Sequence, residues 1–411
     1  MAANTSPSQG KSTRGDPEMN APPKNCPENQ QAKKILKRST SLAQGSIATA
    51  TGILTAAFSV GKDVVLHRHV LVAGGCFLVV AYLSALLLVY MKLFMSEHRQ
   101  LHTWHVRVLQ LLCVTSGAAL VATNSLLLLL IGDGNALLSL NLLPIQGLVA
   151  VLAYHATPTA DSLGDEAFEA GIKSGRKVAL LASATAFAVQ TALVVGYLNN
   201  SSFRALGGGG GRFDIAVSFL ASALSVFLVV ATCMPLGFRT QAERDTVLSV
   251  VRYLKDAVVA VLAVTAVTLG QEFLGGDAVL ALFPEVAVAA MCYAVTLLAD
   301  GGAARDQPGA ADKTELLPTA VVATFGFGML GAAYAALRGT PEYDVYTKAL
   351  VFALLSAVVS SLGRVAGPLC SPRRGKGAAA WVVFLSNILP IVEMLVAVPL
   401  AAKVASDVLP V

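Results

Sequence analysis

Ten stretches of roughly twenty residues carry almost no charge, and they constrain this chain more than any other feature. They are 70–91, 108–131, 136–156, 178–198, 215–237, 257–274, 278–299, 317–337, 346–367 and 380–402. An α-helix needs about 20 apolar residues to cross the hydrocarbon core of a bilayer. Only a helix or a closed barrel satisfies its backbone there, and runs of this length suit helices. Composition agrees. Charged residues make up 13% of the chain, against about 25% in a soluble protein, too few to cover a water-soluble molecule of 411 residues. The expected fold is therefore all-α, a polytopic integral membrane helix bundle.

An eleventh stretch, 43–61, is long enough to span but rich in Ser, Thr and Ala. Ile47, Leu54, Phe58 and Val65 form one stripe, with Thr49, Thr55, Ser59 and Lys62 largely away from it. That pattern also suits a helix lying on the membrane surface. Charge in the loops arbitrates. If 43–61 spans and the N-terminus is cytoplasmic, 23 Lys and Arg fall inside and 7 outside. If it does not span, the split is 14 against 16. Cytoplasmic loops carry the excess of Lys and Arg, so about 11 spans with the N-terminus inside are expected.

The expected organisation is a disordered basic cytoplasmic tail over 1–42, a transmembrane bundle over 43–405 and a short tail over 406–411. The first segment has too few apolar side chains to order itself. It ends in Lys33, Lys34, Lys37 and Arg38, the positive flank of a first span. Ser39 and Ser41 beside them are candidate phosphorylation sites that could release a contact with anionic lipid. Asn199 and Asn200 begin two overlapping glycosylation sequons in a loop expected outside, followed by the glycine run 207–211.

Three apolar runs share a proline beside a polar residue. One reads Asn141-Leu-Leu-Pro144-Ile-Gln146, one Leu282-Phe-Pro284-Glu285, and one Asn387-Ile-Leu-Pro390-Ile-Val-Glu393. Each follows a short glycine-bearing stretch, which suggests a weak internal repeat. Pro144, Pro284 and Pro390 are expected helix kinks, because proline frees a backbone carbonyl that can face a ligand. Ionisable side chains inside spans are costly and point to function. Glu285, Glu393 and Glu272, with Gln146, Asn141 and Asn387, are thus read as an intramembrane polar path. Asn124 and Gln190 add neutral polar groups. The blander reading is that each merely pins neighbouring helices together.

No catalytic motif is found, and no enzyme activity is expected. His98, His102 and His105 share a helical face, but no Cys accompanies them and Glu97 points elsewhere. The six cysteines lie at no metal-ligand spacing. Neither a metal nor another cofactor is expected, and the net charge of +5 sits in loops, so nucleic acid is not an expected partner. Expected partners are the lipid bilayer, a small solute or cation, and a second copy of the chain. Gly326, Gly328 and Gly331 offer a close-packing face for a helix–helix contact, within the chain or between chains. The leading functional expectation is a secondary transporter or channel-like carrier of a small solute or ion, coupled to protons or cations. The alternative is a non-transporting scaffold or signalling component acting through its tail and loops. The plasma membrane is the first expected location and an endomembrane the second.

Overall fold

The computed structural model describes residues 43, 68–97, 103–131, 165–199, 210–233, 241–299, 317–337, 342–366 and 378–408. The expected spans 136–156 and, beyond Ala43, 43–61 lie outside them, as does the tail with Ser39 and Ser41. Among the described residues there is no strand. The helices are α1 (Arg68–Glu97), α2 (Thr103–Ile131), α3 (Asp165–Asn199), α4 (Gly210–Cys233), α5 (Gln241–Leu274), α6 (Phe283–Ala299), α7 (Leu317–Leu337), α8 (Val345–Ala366) and α9 (Ala378–Val408). A 3-10 helix, Gly275–Leu282, joins α5 to α6.

The core is apolar, and so is much of the outer surface, unlike that of a water-soluble protein. Val72, Phe77, Val80, Leu83, Leu87 and Tyr90 of α1 are exposed, as are Trp381, Phe384, Leu395 and Val396 of α9. Meanwhile Ser116, Asn124, Thr185, Gln190, Ser222 and Ser360 are buried. Contiguous apolar surface on this scale marks contact with something other than water. Five helical segments among the described residues are long and apolar enough to cross a membrane: Val72–Met91, Arg107–Leu126, Arg244–Met291, Val345–Val365 and Ile388–Asp407. Length and composition therefore support five crossings among the described residues.

Hydroxyls bury cheaply here because they bond within their own helix. Thr123, Thr185, Ser225, Thr232, Thr265 and Ser361 each donate to the carbonyl four residues back, at 2.6–2.9 Å. Small residues then let helices approach. On α7, Gly331 meets Val189 and Ala192 of α3, and Gly196 of α3 meets Ala335 in return. Gly326, on another side of α7, faces Val358 of α8 and Met394 of α9. The glycine face expected over 326–331 thus serves contacts within the chain.

Several expected boundaries are corrected. Residues 165–177 and 241–256, expected as loops, are the first turns of α3 and α5. A 34-residue helix is about 51 Å long, well beyond the ~30 Å hydrocarbon core, so charged turns can extend past it. The two extensions pack together: Gly171 sits against Leu248, and Gly175 against Val251 and Thr232. Gly210 and Gly211 open α4 instead of belonging wholly to a linker, and residues 406–408 belong to α9 instead of a tail.

The glycine-bearing stretch between the runs 257–274 and 278–299 does not break the helical path. The chain stays helical from Gln241 to Ala299. Gly275 has φ 57°, a left-handed conformation that interrupts the α-helix and that glycine adopts without steric cost. The 3-10 helix follows, burying Ala278 and Ala281. It carries α6 away from α5 to pack on α8 and α9.

Candidate functional site

The helix α8 is the most enclosed part of the fold. Its residues 353–362 are all buried, and α5, α6, α7 and α9 all pack against it. One of its faces carries Ser356, Ser360 and Gly363, spaced by four and three residues as one stripe of a helix requires. Two carboxylates from other helices meet this stripe.

Glu393, from α9, meets its first half. Ser356 Oγ donates to Glu393 Oε1 at 2.5 Å. Ser360 lies one turn further along and its hydroxyl also faces the Glu393 carboxylate, yet without hydrogen-bond geometry. Among the described residues, Ser360 Oγ and Glu393 Oε2 are buried with no hydrogen-bond partner. Ser360 is 1% exposed. Unlike Ser361, which bonds the Ala357 carbonyl, neither Ser356 nor Ser360 is drawn back onto its own helix in this way.

Glu285, from α6, meets the second half. Its carboxylate lies so close to Gly363 that a Cβ there would collide with it. Gly363 is therefore the cradle that lets Glu285 reach α8. The adjacent Arg364 and the Glu393 carboxylate both lie within electrostatic range of Glu285. Both glutamates are half-buried. Seven residues separate Ser356 from Gly363, roughly 10 Å along the axis, so the carboxylates are staggered along the helix.

The residues expected to line a polar path are placed as follows. Glu285 and Glu393 come together on α8. Glu272 does not join them; it is exposed near the end of α5. Asn387 stands on the backbone of α9 two turns before Glu393. Gln146, Asn141 and Pro144 lie outside the described residues. Pro284 is corrected from a kink to a helix start: it is the second residue of α6, where a missing N–H costs nothing. Pro390 lies inside α9, whose helical path continues through it.

A second polar cluster closes the other side of the bundle. Gln190 Nε2 donates to Asn124 Oδ1. Asn124 Nδ2 donates to the Phe219 carbonyl at 3.2 Å, and Ser222 Oγ to Gln190 Oε1 at 2.9 Å. This network ties α2, α3 and α4 together with its side-chain oxygens accepting, and it behaves as a lock instead of a binding site.

Ser356, Ser360, Gly363 and Asp214 were not singled out from sequence. Serines in apolar helices usually bond their own backbone, so nothing in the string distinguishes these two. Asp214 sits just before the expected run 215–237. Of His98, His102 and His105, the first two lie outside the described residues. Among the described residues no three His, Cys, Asp or Glu side chains converge as a metal site would require. Asn199 ends α3, and Asn200 lies beyond the described residues.

Compared with known proteins, the chain matches no family model. No curated protein and no solved structure matches it either.

Proposed function

We propose that this chain is a membrane carrier of a small solute or ion, driven by coupling to a proton or another cation. One observation supports the reading above the rest: Glu285 and Glu393, from α6 and α9, converge on one face of the buried helix α8. A carboxylate in the low-dielectric interior is expensive, and a chain retains two such groups together where their charge is used. Here they sit beside two hydroxyls and a guanidinium, a set that can hold and release a small positive charge. The reading assigns no chemistry beyond this, so the protein is proposed not to be an enzyme.

A second reading, a scaffold or signalling component, draws on the charged extensions of α3 and α5. Lys173, Arg252, Tyr253 and Asp256 are exposed there. Such a surface suits contacts with other proteins at the membrane face. In both readings the N-terminus is cytosolic, and the plasma membrane is the proposed location.

Flux in proteoliposomes separates them. The carrier reading expects wild-type protein to move a common ion or metabolite, and Glu285→Gln and Glu393→Gln to reduce that flux. Folded variants with unaltered cellular activity, and a wild type without flux, would support the scaffold.

A further inference from the structure

We propose that Glu393, Ser360 and Ser356 form a binding site for one alkali-metal ion, charge-balanced by the Glu285–Arg364 pair beside it. The proposal deepens the carrier reading, on which it rests, by naming the coupling ion's class.

Three observations carry it. The first is the orphaned pair of oxygens. Ser360 Oγ is 99% buried in effect, at 1% exposure, and faces the Glu393 carboxylate. Neither it nor Glu393 Oε2 has a hydrogen-bond partner among the described residues. Leaving a buried polar atom unpaired is costly. A hydroxyl in a helix has an easy remedy, the carbonyl one turn back, which Ser361 takes at 2.7 Å. Ser360 forgoes it and holds its hydroxyl beside the carboxylate.

The second is the ligand chemistry. Carboxylate and hydroxyl oxygens are hard donors and suit hard cations. No imidazole or thiolate joins them among the described residues, so a transition metal has no set of ligands here.

The third is charge. With both carboxylates ionised, Glu285 and Glu393 carry two negative charges and Arg364 one positive, leaving one negative charge in the cluster. The run 317–337 of α7 contains no charged residue. Glu272, Asp277, Lys348 and Lys403 are all exposed. A single monovalent cation neutralises the cluster, whereas a divalent one would leave it positive in low dielectric.

The test uses full-length protein in detergent at fixed ionic strength, with choline replacing the alkali ion as control. Sodium, potassium and lithium are titrated while the melting temperature is followed, and radioactive sodium binding gives the stoichiometry. The expected result is a saturable rise in melting temperature with one ion bound per chain. Ser360→Ala and Glu393→Gln are each expected to weaken the apparent affinity by at least about tenfold. Ser360→Ala removes a hydroxyl that makes no hydrogen bond, so in choline it is expected to melt at the wild-type temperature or above. A merely structural serine would instead lower it. Wild-type protein whose melting temperature responds to pH but to no alkali ion overturns the proposal in favour of a proton alone. Binding of sodium without flux supports this site while sinking the carrier reading. Flux without alkali-ion binding sinks the site and spares the carrier.

Discussion

Tyr334 of α7 donates its phenolic hydrogen to Asp214 Oδ2 of α4 at 2.6 Å, with both residues buried. Phe273 of α5 packs edge-on to the Tyr334 ring at 6.3 Å and against Tyr343 at 4.7 Å. This bond reaches across 120 residues of sequence and joins two helices at one end of the bundle. Tyr334→Phe keeps the ring packing and removes the donor. A bond to a charged group is worth about 1.5–3 kcal/mol, so the variant is expected to melt earlier by a corresponding margin. Asp214→Asn, which retains an acceptor, is expected to cost less. Melting in detergent measures both.

The contact between α3 and α7 depends on the absence of side chains. A methyl on Gly196 would come within 2.9 Å of the Ala335 Cα, closer than real carbons approach. Backbone atoms cannot swing aside as a flexible side chain can. Gly196→Ala is therefore expected to destabilise by about 1–3 kcal/mol. Gly328→Ala serves as the control. Its added methyl meets only Ala188 Cβ at 3.8 Å, an ordinary contact, and it is expected to be tolerated.

The Asn124–Gln190–Ser222 network makes a nonadditive prediction. Gln190→Leu strands the Ser222 hydroxyl and takes the donor from Asn124, at an expected cost of about 1–3 kcal/mol. Replacing Asn124, Gln190 and Ser222 together by apolar residues of similar size is expected to cost less than the sum of the single changes. Equal sums would show that the three side chains act independently.

Acid should loosen the start of α8. Asp344 Oδ1 accepts from the Thr347 backbone N–H at 2.8 Å and caps the helix. Its hydrogen bonds to the Thr347 side chain and backbone hold its carboxyl below the ordinary aspartate value. The folded state thus binds this proton more weakly than the unfolded state. The stabilisation is complete above the unfolded value, near pH 4, and is lost as pH falls through the lower folded value. Asp344→Asn is expected to lower the melting temperature at pH 7. The gap to wild type should narrow below about pH 4. Because Asp344 is exposed, the effect is small and screened by salt.

Apolar run length made most of the described helices legible in the sequence, because length without charge is a local property. Run 317–337 coincides with α7, and run 346–367 differs from α8 by one residue at each end. The charged starts of α3 and α5 were read as loops for a physical reason. A helix that continues past the membrane loses its apolar signature, and its support is tertiary: Gly171 against Leu248 and Gly175 against Val251. In the candidate site, Glu285 and Glu393 were visible because charge in an apolar run is rare. Their meeting on α8 was not, since it depends on where Gly275 turns the chain. Ser360 was invisible for the opposite reason: serine is ordinary in such helices, and only its missing bond sets it apart.

The route taken by α6 has a consequence for how the molecule is made. α6 leaves the ribosome before α8 and α9 exist, yet those are the helices it packs on. Until Gly363 and Arg364 have been synthesised, Glu285 has neither its cradle nor its counter-charge. The newborn α6 must therefore wait beside the growing chain with its carboxylate protonated or still in water. Its docking is the step by which the last quarter of the polypeptide ratifies the placement of the middle.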